Sequence, residues 1–176
     1  MGKGRQCSES CLEYILAEAT RHYRDTPNGP PPAVAVEAVG FRVGRQLAER
    51  YTRDRQRLAE QLELMKFICR DFWTEVFRKQ VDGLRTNHKG TFVLKDNAFK
   101  WLLKLSAASA EDSHTTLDVA REQLVFPCAL LRGALAQLGV EATVTADPSN
   151  LPVVDFTIFI KQRTSQDVSP PPAPYP

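Results

Sequence analysis

The sequence has no long apolar run and no concentration of charge of one sign. No apolar stretch approaches the roughly 18 residues that a membrane-spanning helix needs, and residues 1–5 are not followed by the apolar core of a signal peptide. The 23 basic and 21 acidic side chains are interleaved and leave a net charge of +2, whereas a nucleic-acid-binding face needs concentrated positive charge. We therefore expect a cytosolic protein that binds no nucleic acid.

A metal-binding cluster is also missing from the sequence. Cys7 and Cys11 are four residues apart and would share a helix face, but no cluster of histidine and cysteine lies nearby, so no zinc site is expected. Cys69 and Cys128 each fall inside a helical apolar pattern, and we predict that both are small core side chains. The histidines lie in or near polar segments, and we expect surface residues at His22, His88 and His114.

The residue patterns of catalysis are missing as well. The stretch 40–44 contains two glycines but lacks the spacing of a phosphate-binding loop, and no Gly-x-Ser-x-Gly elbow occurs. Asp71 and Glu75 form a carboxylate pair without a histidine, so we expect ion pairs rather than a metal, to Arg70, Arg78 or Lys79. We predict that the chain is not an enzyme and holds no cofactor or metal.

What the sequence does contain is helical periodicity in four segments. Apolar residues recur at helical spacing, and they predict helices at 8–24, 32–51, 57–82 and 117–138. The third helix is apolar on most of its faces and should lie at the centre of the core, and Gly83 should end it. Pro127 should kink the fourth helix or mark the start of its second part.

Short strands separate and follow these helices. We predict a hairpin with a turn at 87–90 and a strand at 91–94, and two later strands at 140–145 and 153–160 joined by a turn at 147–150. Residues 106–116 are small and polar and should form a loop. One face of the last strand is expected to be apolar, with Val154, Phe156, Ile158 and Ile160. The order of elements predicts an α+β domain of four main helices and a small antiparallel sheet.

The two ends of the chain lack a core pattern. We expect residues 1–7 to be flexible, residues 8–163 to form one domain and residues 164–176, which are rich in proline, to form a disordered tail.

The second helix carries a valine stripe with two glycines beside it. Gly costs about 1 kcal/mol relative to Ala inside a helix, so Gly40 and Gly44 indicate that another backbone comes close there. That backbone belongs either to the same chain or to a partner subunit. With the apolar face of the first helix, the candidate partner-binding residues are Leu12, Ile15, Leu16, Val36, Val39, Gly40, Val43, Gly44 and Leu47.

A basic run follows the second helix. Residues 50–57 contain four arginines and one acidic residue. The run is either a solvated connection between helices or a patch for a membrane surface or an acidic partner.

Three stretches in order resemble one family. They read VGFRVGRQLAER at 39–50, LMKFICRDFW at 64–73 continuing in LRTNHKGTFVLKDN at 84–97, and LLRGAL at 130–135. Together they resemble the small subunits of the transport protein particle (TRAPP) complex, and Arg85 to His88 followed by Asp96 and Asn97 resembles the subunit 6 branch. The likeness covers about residues 34–160.

This resemblance implies a four-helix, small-sheet fold that dimerises through its first two helices. It implies a heterodimer with the family's subunit 3, within an assembly of further subunits that tethers ER-derived vesicles and promotes nucleotide exchange on a Rab GTPase. A subunit of this type is implied to be architectural, with the exchange surface on other subunits. It would meet cis-Golgi and ER-derived membranes peripherally, through the complex.

One departure from the family concerns acylation. Subunit 3 relatives carry a cysteine just before the long third helix, at the mouth of an acyl-binding tunnel, whereas residues 54–58 read DRQRL here. We therefore expect no acylated site. A carrier that holds an acyl chain or lipid without a covalent bond is the alternative function, although Phe67, Phe72 and Trp73 favour a filled core.

Overall fold

The helical elements occupy most of the described chain. A computed structural model describes residues 8, 10–55, 60–103, 105 and 112–161, the side chains of 112–115 excepted. The segments predicted to be flexible or disordered, 1–7 and 164–176, lie outside the described residues, as does Cys7. The helices are α1 (Ser10–Asp25), α2 (Pro32–Thr52), α3 (Gln61–Phe67), α4 (Trp73–Phe77) and α5 (Asp112–Gln137), with a π-helical segment (Ile68–Phe72) joining α3 to α4 and a short 3-10 helix (Lys100–Leu102) before α5.

The third predicted helix corresponds to α3, the π-helical segment and α4, and it ends earlier than predicted. Arg78 takes the left-handed conformation with a φ of 60° and ends the helix at Phe77. Gly83 instead begins the first strand, so the prediction that Gly83 ends this helix is wrong. The physical reason is tertiary, because residues 79–82 are drawn towards the sheet by hydrogen bonds described below.

The last helix starts earlier than its apolar pattern indicated. Helix α5 begins at Asp112 and runs through Pro127 without interruption, so Pro127 does not start a separate second helix. The prediction of a loop at 106–116 is therefore wrong for 112–116. Those residues are polar and carry no apolar periodicity, so their helical state follows from being continuous with the packed part of α5.

The sheet contains four antiparallel strands in the order β1-β2-β4-β3. The strands are β1 (Gly83–Thr86), β2 (Thr91–Asp96), β3 (Ala142–Asn150) and β4 (Val153–Ile160). The hairpin of β1 and β2 is confirmed, with Gly90 at a φ of 93° in its turn. The turn predicted at 147–150 is wrong, because β3 continues to Asn150 through a bulge and the chain reverses at Leu151 and Pro152.

The core lies between the sheet and the helices. The predicted apolar face of β4 is confirmed, since its four residues are all buried. Trp73 is fully buried and meets Phe156 edge to face, with ring centroids 5.2 Å apart. Cys69 is buried and Cys128 is partly buried against the same core, and burial raises the pKa of each thiol to about 12. The architecture of four main helices and an antiparallel sheet is confirmed.

A buried carboxylate ties the end of β2 to α4. Asp96 is completely inaccessible to solvent, and it accepts hydrogen bonds from Trp73 Nε1 at 3.3 Å, Lys79 Nζ at 2.7 Å and the Ala98 amide at 3.0 Å. Buried charges persist in proteins only when they are paired and hydrogen-bonded in this way. Asp96 is one of the residues by which the sequence resembles the subunit 6 branch. Its role in the structure is to tie the end of β2 to α4.

A second carboxylate completes the network and makes stability depend on pH. Asp82 accepts hydrogen bonds from Lys79 Nζ and from the Asn97 amide, each at 2.7 Å, and the Lys79 bond is the main cause of its lowered pKa. A carboxylate whose folded pKa is depressed stabilises the protein above the unfolded pKa of about 4, and that stabilisation is lost as the pH falls through the folded pKa.

We therefore expect Asp82→Asn to lower the Tm at pH 7, by an amount that shrinks as the pH falls below the unfolded pKa of about 4. Thermal unfolding followed by circular dichroism between pH 2.5 and 7 measures this. Asp54→Asn, at an exposed carboxylate, is the control. A Tm difference between wild type and Asp82→Asn that stays constant across this range would contradict the assignment.

Candidate subunit interface

Helix α1 is amphipathic but incompletely covered. None of its residues is buried. Leu12 and Leu16 on one side are half-buried, whereas Ile15 is 64% exposed and Tyr14 is 75% exposed. Helices of this length gain most of their stability by packing an apolar face. An apolar flank of α1 therefore stays open to a partner.

The valine stripe of α2 is divided between core and solvent. Val36 is buried, with 7% exposure, while Val39 is 44% exposed. Val43 and Leu47 lie between these extremes and pack partly against the core. The exposed edge of this stripe is the part of α2 that remains available for contact with another subunit.

The two glycines of α2 face α5 of the same chain. A Cβ at Gly40 would lie 2.8 Å from the carbonyl oxygen of Phe126, and a Cβ at Gly44 would overlap the carbonyl of Leu130. The intramolecular alternative therefore accounts for both residues. We leave Gly40, Gly44 and the buried Val36 out of the proposed interface, because none of them presents surface to a partner.

Helix α5 holds α2 in place through residues that the pattern analysis did not single out. Gly133 allows the same close approach from the side of α5, because a Cβ there would overlap the carbonyl of Phe41 in α2. Arg132 pairs with Glu37 at 2.5 Å, and its guanidinium lies 5.2 Å from the centre of the Phe41 ring. Gly133 itself was the sequence signal for this contact, because a glycine inside a helix indicates that another backbone comes close.

A cavity of about 500 Å³ lies between α1 and α5. Leu12 and Leu16 line it from α1, Val36 from α2, Trp101 from the 3-10 helix and Phe126 from α5. Its size falls within the range of small-molecule sites, about 300–1,000 Å³.

The polar groups of this cavity are largely paired with one another. Arg24 of α1 and Glu122 of α5 are 3.2 Å apart and join the two helices, and the Thr20 hydroxyl donates to the Leu16 carbonyl. No cysteine is among the described residues that line the cavity.

The basic run after α2 is partly used within the chain. Arg55 pairs with Asp71 at 2.5 Å and lies 5.3 Å from the centre of the Phe67 ring. The prediction that Asp71 would pair with basic residues on its own helix is therefore wrong, because the chain after α2 folds back over the π-helical segment. Glu75 does pair with Arg78, at 3.9 Å.

The described part of the chain holds no group of three or more potential metal ligands. His22 and His88 are exposed, as expected, and the side chain of His114 lies outside the described residues. None of the described helices is both long enough and apolar enough to cross a bilayer.

Comparison with known proteins gives the family. Residues 12–164 match the family described as transport protein particle (TRAPP) component. The chain is 47% identical over 127 residues to trafficking protein particle complex subunit 6B of Mus musculus, covering 72% of this chain and 77% of the relative. It is 48% identical over 158 residues to subunit 6b of Danio rerio, covering 88% and 98%.

A solved structure agrees in fold. Subunit 3 of this complex from Naegleria fowleri, covalently bound to palmitic acid, superposes with a TM-score of 0.61 at 10% identity, covering 87% of this chain and 90% of that one. At this identity the likeness concerns the fold alone. The family match over most of the sequence and the close subunit 6 relatives establish that this chain belongs to the TRAPP component family, in its subunit 6 branch, and is a component of the vesicle-tethering complex.

Proposed function

We propose that the chain is an architectural subunit that pairs with TRAPP subunit 3 through α1 and the adjoining edge of α2. It supports nucleotide exchange on a Rab GTPase without catalysing it, and it reaches cis-Golgi and ER-derived membranes peripherally, through the complex. The observation that supports this proposal is that α1 has an apolar flank but not one buried residue.

The energetics favour covering this flank. Ile15 and Val39 are exposed by 64% and 44%, and burying such a side chain fully stabilises a complex by about 1.5–3 kcal/mol. Val43 and Leu47 continue the same stripe of α2 and pack partly against the core. Arg42 and Arg50 are exposed on the same helix. An apolar centre bordered by polar residues is the usual anatomy of a subunit interface.

The family also supports pairing in preference to catalysis. The described residues hold no group of three or more potential metal ligands, and the pKa values of the two core thiols are raised, which keeps them protonated and unreactive at neutral pH. The relatives are named as subunits of a complex.

Mixing the purified chain with purified subunit 3 tests the pairing. Light scattering or native mass spectrometry should show one copy of each in a stable complex at micromolar concentration. A chain that stays monomeric in the presence of subunit 3 would contradict the proposal.

A second candidate function is non-covalent binding of an acyl chain or lipid. The cavity between α1 and α5 favours it, because its lining is largely apolar and its volume, about 500 Å³, suits a small ligand. Native mass spectrometry of the chain purified from cells should then detect a co-purified lipid that is lost after delipidation. Phe126→Ala, which enlarges the cavity, is the comparison variant, and a mass equal to that of the bare polypeptide would contradict this function.

A further inference from the structure

Strand β3 forms a long, open edge of the sheet. Among the described strands, in the order β1-β2-β4-β3, it pairs only with β4, and it spans nine residues. The other edge strand, β1, has four residues. An edge strand presents a row of unpaired backbone groups to solvent, which is a template for another strand.

The hydrogen-bond register identifies the backbone groups that face outward. The Lys161 amide donates to the Glu141 carbonyl at 2.9 Å, which makes this a hydrogen-bonded pair across β3 and β4. Such pairs alternate along an antiparallel ladder, so Thr143 and Thr145, opposite Phe159 and Thr157, also bond to β4.

The residues between them therefore face away from the sheet. The N–H and C=O groups of Ala142, Val144 and Ala146 point outward, while their side chains lie on the core side, buried or half-buried. Within the described residues, no backbone hydrogen bond to another segment reaches these groups.

The edge is protected at one end only. Natural edge strands are usually blunted by shortness, charge, proline or a bulge. The end of β3 has a bulge between Asp147 and Asn150, and the bulge contains Pro148, which has no N–H to donate. Residues 142–146 contain no charge, proline or glycine, so this half of the edge stays able to pair.

We infer that residues 142–146 of β3 accept an extended, uncharged segment of another polypeptide of the TRAPP complex by strand addition. Backbone hydrogen bonds to Ala142, Val144 and Ala146 would hold the segment, and alternate side chains would contact the apolar core side and the threonine side. Membership of a complex with several subunits requires surfaces beyond a single pairing face. The inference rests on that membership and not on the proposed pairing through α1.

Charge argues against a second copy of this chain as the occupant. Antiparallel pairing of two β3 strands centred on Val144, the register that pairs residues 142–146 throughout, would set Glu141 of each copy, which is paired with Lys161 of its own chain, opposite Asp147 of the other. Like charges directly opposite one another destabilise a strand pair. An uncharged segment avoids this repulsion.

Single-residue hydrogen exchange tests the inference on the unaltered protein. The chain is compared alone and within the intact TRAPP complex isolated through a tag on this chain, with exchange read by electron-transfer fragmentation and mass spectrometry. The Val144 and Ala146 amides should exchange about 100-fold more slowly in the complex, whereas the Thr143 and Thr145 amides are protected in both states.

A matched pair of variants provides the second test. Val144→Pro removes one outward N–H without breaking a bond to β4, and Val144→Thr keeps that N–H in a residue that favours strands. Val144→Pro should still pair with subunit 3 but lose other subunits from the isolated complex, while Val144→Thr retains them. Should Val144→Pro fail to fold, the exchange measurement decides alone.

Three results would overturn the inference. The first is equal exchange of the Val144 and Ala146 amides in the isolated chain and in the complex. The second is protection in the isolated chain that disappears on deletion of residues 162–176, which would make this chain's own tail the occupant. The third is protection of the isolated chain that disappears on dilution, which would make a second copy the occupant. The second and third results are read on the isolated chain, so loss of pairing through α1 does not affect them.

Discussion

Gly44→Ala is expected to destabilise the protein by about 3 kcal/mol or more. A Cβ at Gly44 would overlap the carbonyl of Leu130 in α5, and the atoms it meets are backbone, which cannot rotate aside. Overpacking a core typically costs 1–3 kcal/mol, and more when backbone must move. Because α5 also carries Gly133 against the Phe41 carbonyl, separating the two helices at one glycine opens the contact at the other. Total stabilities are only about 5–15 kcal/mol.

Urea unfolding followed by circular dichroism measures this effect. Gly133→Ala should be about as damaging as Gly44→Ala, and Gly40→Ala less so, because its Cβ would meet the Phe126 oxygen at 2.8 Å. Gly83→Ala is the matched control, since the nearest atom to a Cβ there is 3.7 Å away. If Gly44→Ala proved as stable as Gly83→Ala, the close crossing of α2 and α5 would be refuted.

Ile15→Asp and Val39→Asp are expected to weaken pairing with subunit 3 by about 100-fold or more, because each would bury an unpaired charge in the interface. Both side chains are largely exposed in the isolated chain, so the fold should tolerate them. Val43 belongs to the same valine stripe, and Val43→Asp should abolish pairing. Its result says less about the interface than those of the two exposed positions. Val43 packs against the chain's own core, so its replacement also destabilises the subunit.

Isothermal titration of subunit 3 into each variant measures the loss, with circular dichroism as the check on folding. Leu62→Asp on α3 is the control, because Leu62 is apolar and 51% exposed, yet lies outside the proposed interface. Wild-type affinity in both Ile15→Asp and Val39→Asp, with Leu62→Asp unchanged, would remove the α1 and α2 surface from consideration.

Elements with strong local patterns were predictable from the sequence. The alternation in 153–160 predicted β4 with its bounds and its buried face, and the stripe of 32–51 predicted α2 to within one residue. Both succeed because side-chain period is a property of neighbouring residues. Element ends that depend on distant partners were missed. Arg78 ends α4 in a left-handed conformation, and the hydrogen bonds of Lys79 to Asp82 and Asp96 arise only once the sheet is in place.

The candidate interface was only partly predictable for the same reason. The sequence placed nine apolar and glycine residues on the first two helices, but their spacing is equally compatible with packing inside the chain or between chains. The structure assigns Gly40 and Gly44 to α5 and leaves Ile15 and Val39 in solvent. Residue spacing reports which side of a helix is apolar, and it does not report which surface covers that side.

By itself the sequence determined the α+β class, the family likeness and the number of main helices, because these follow from periodicity and from motifs of contiguous residues. Only the tertiary structure decided that the glycines of α2 meet α5, that Asp71 pairs with Arg55 and that β3 is an open edge. These depend on contacts between residues far apart in the chain, and such contacts form only when the whole core packs at once.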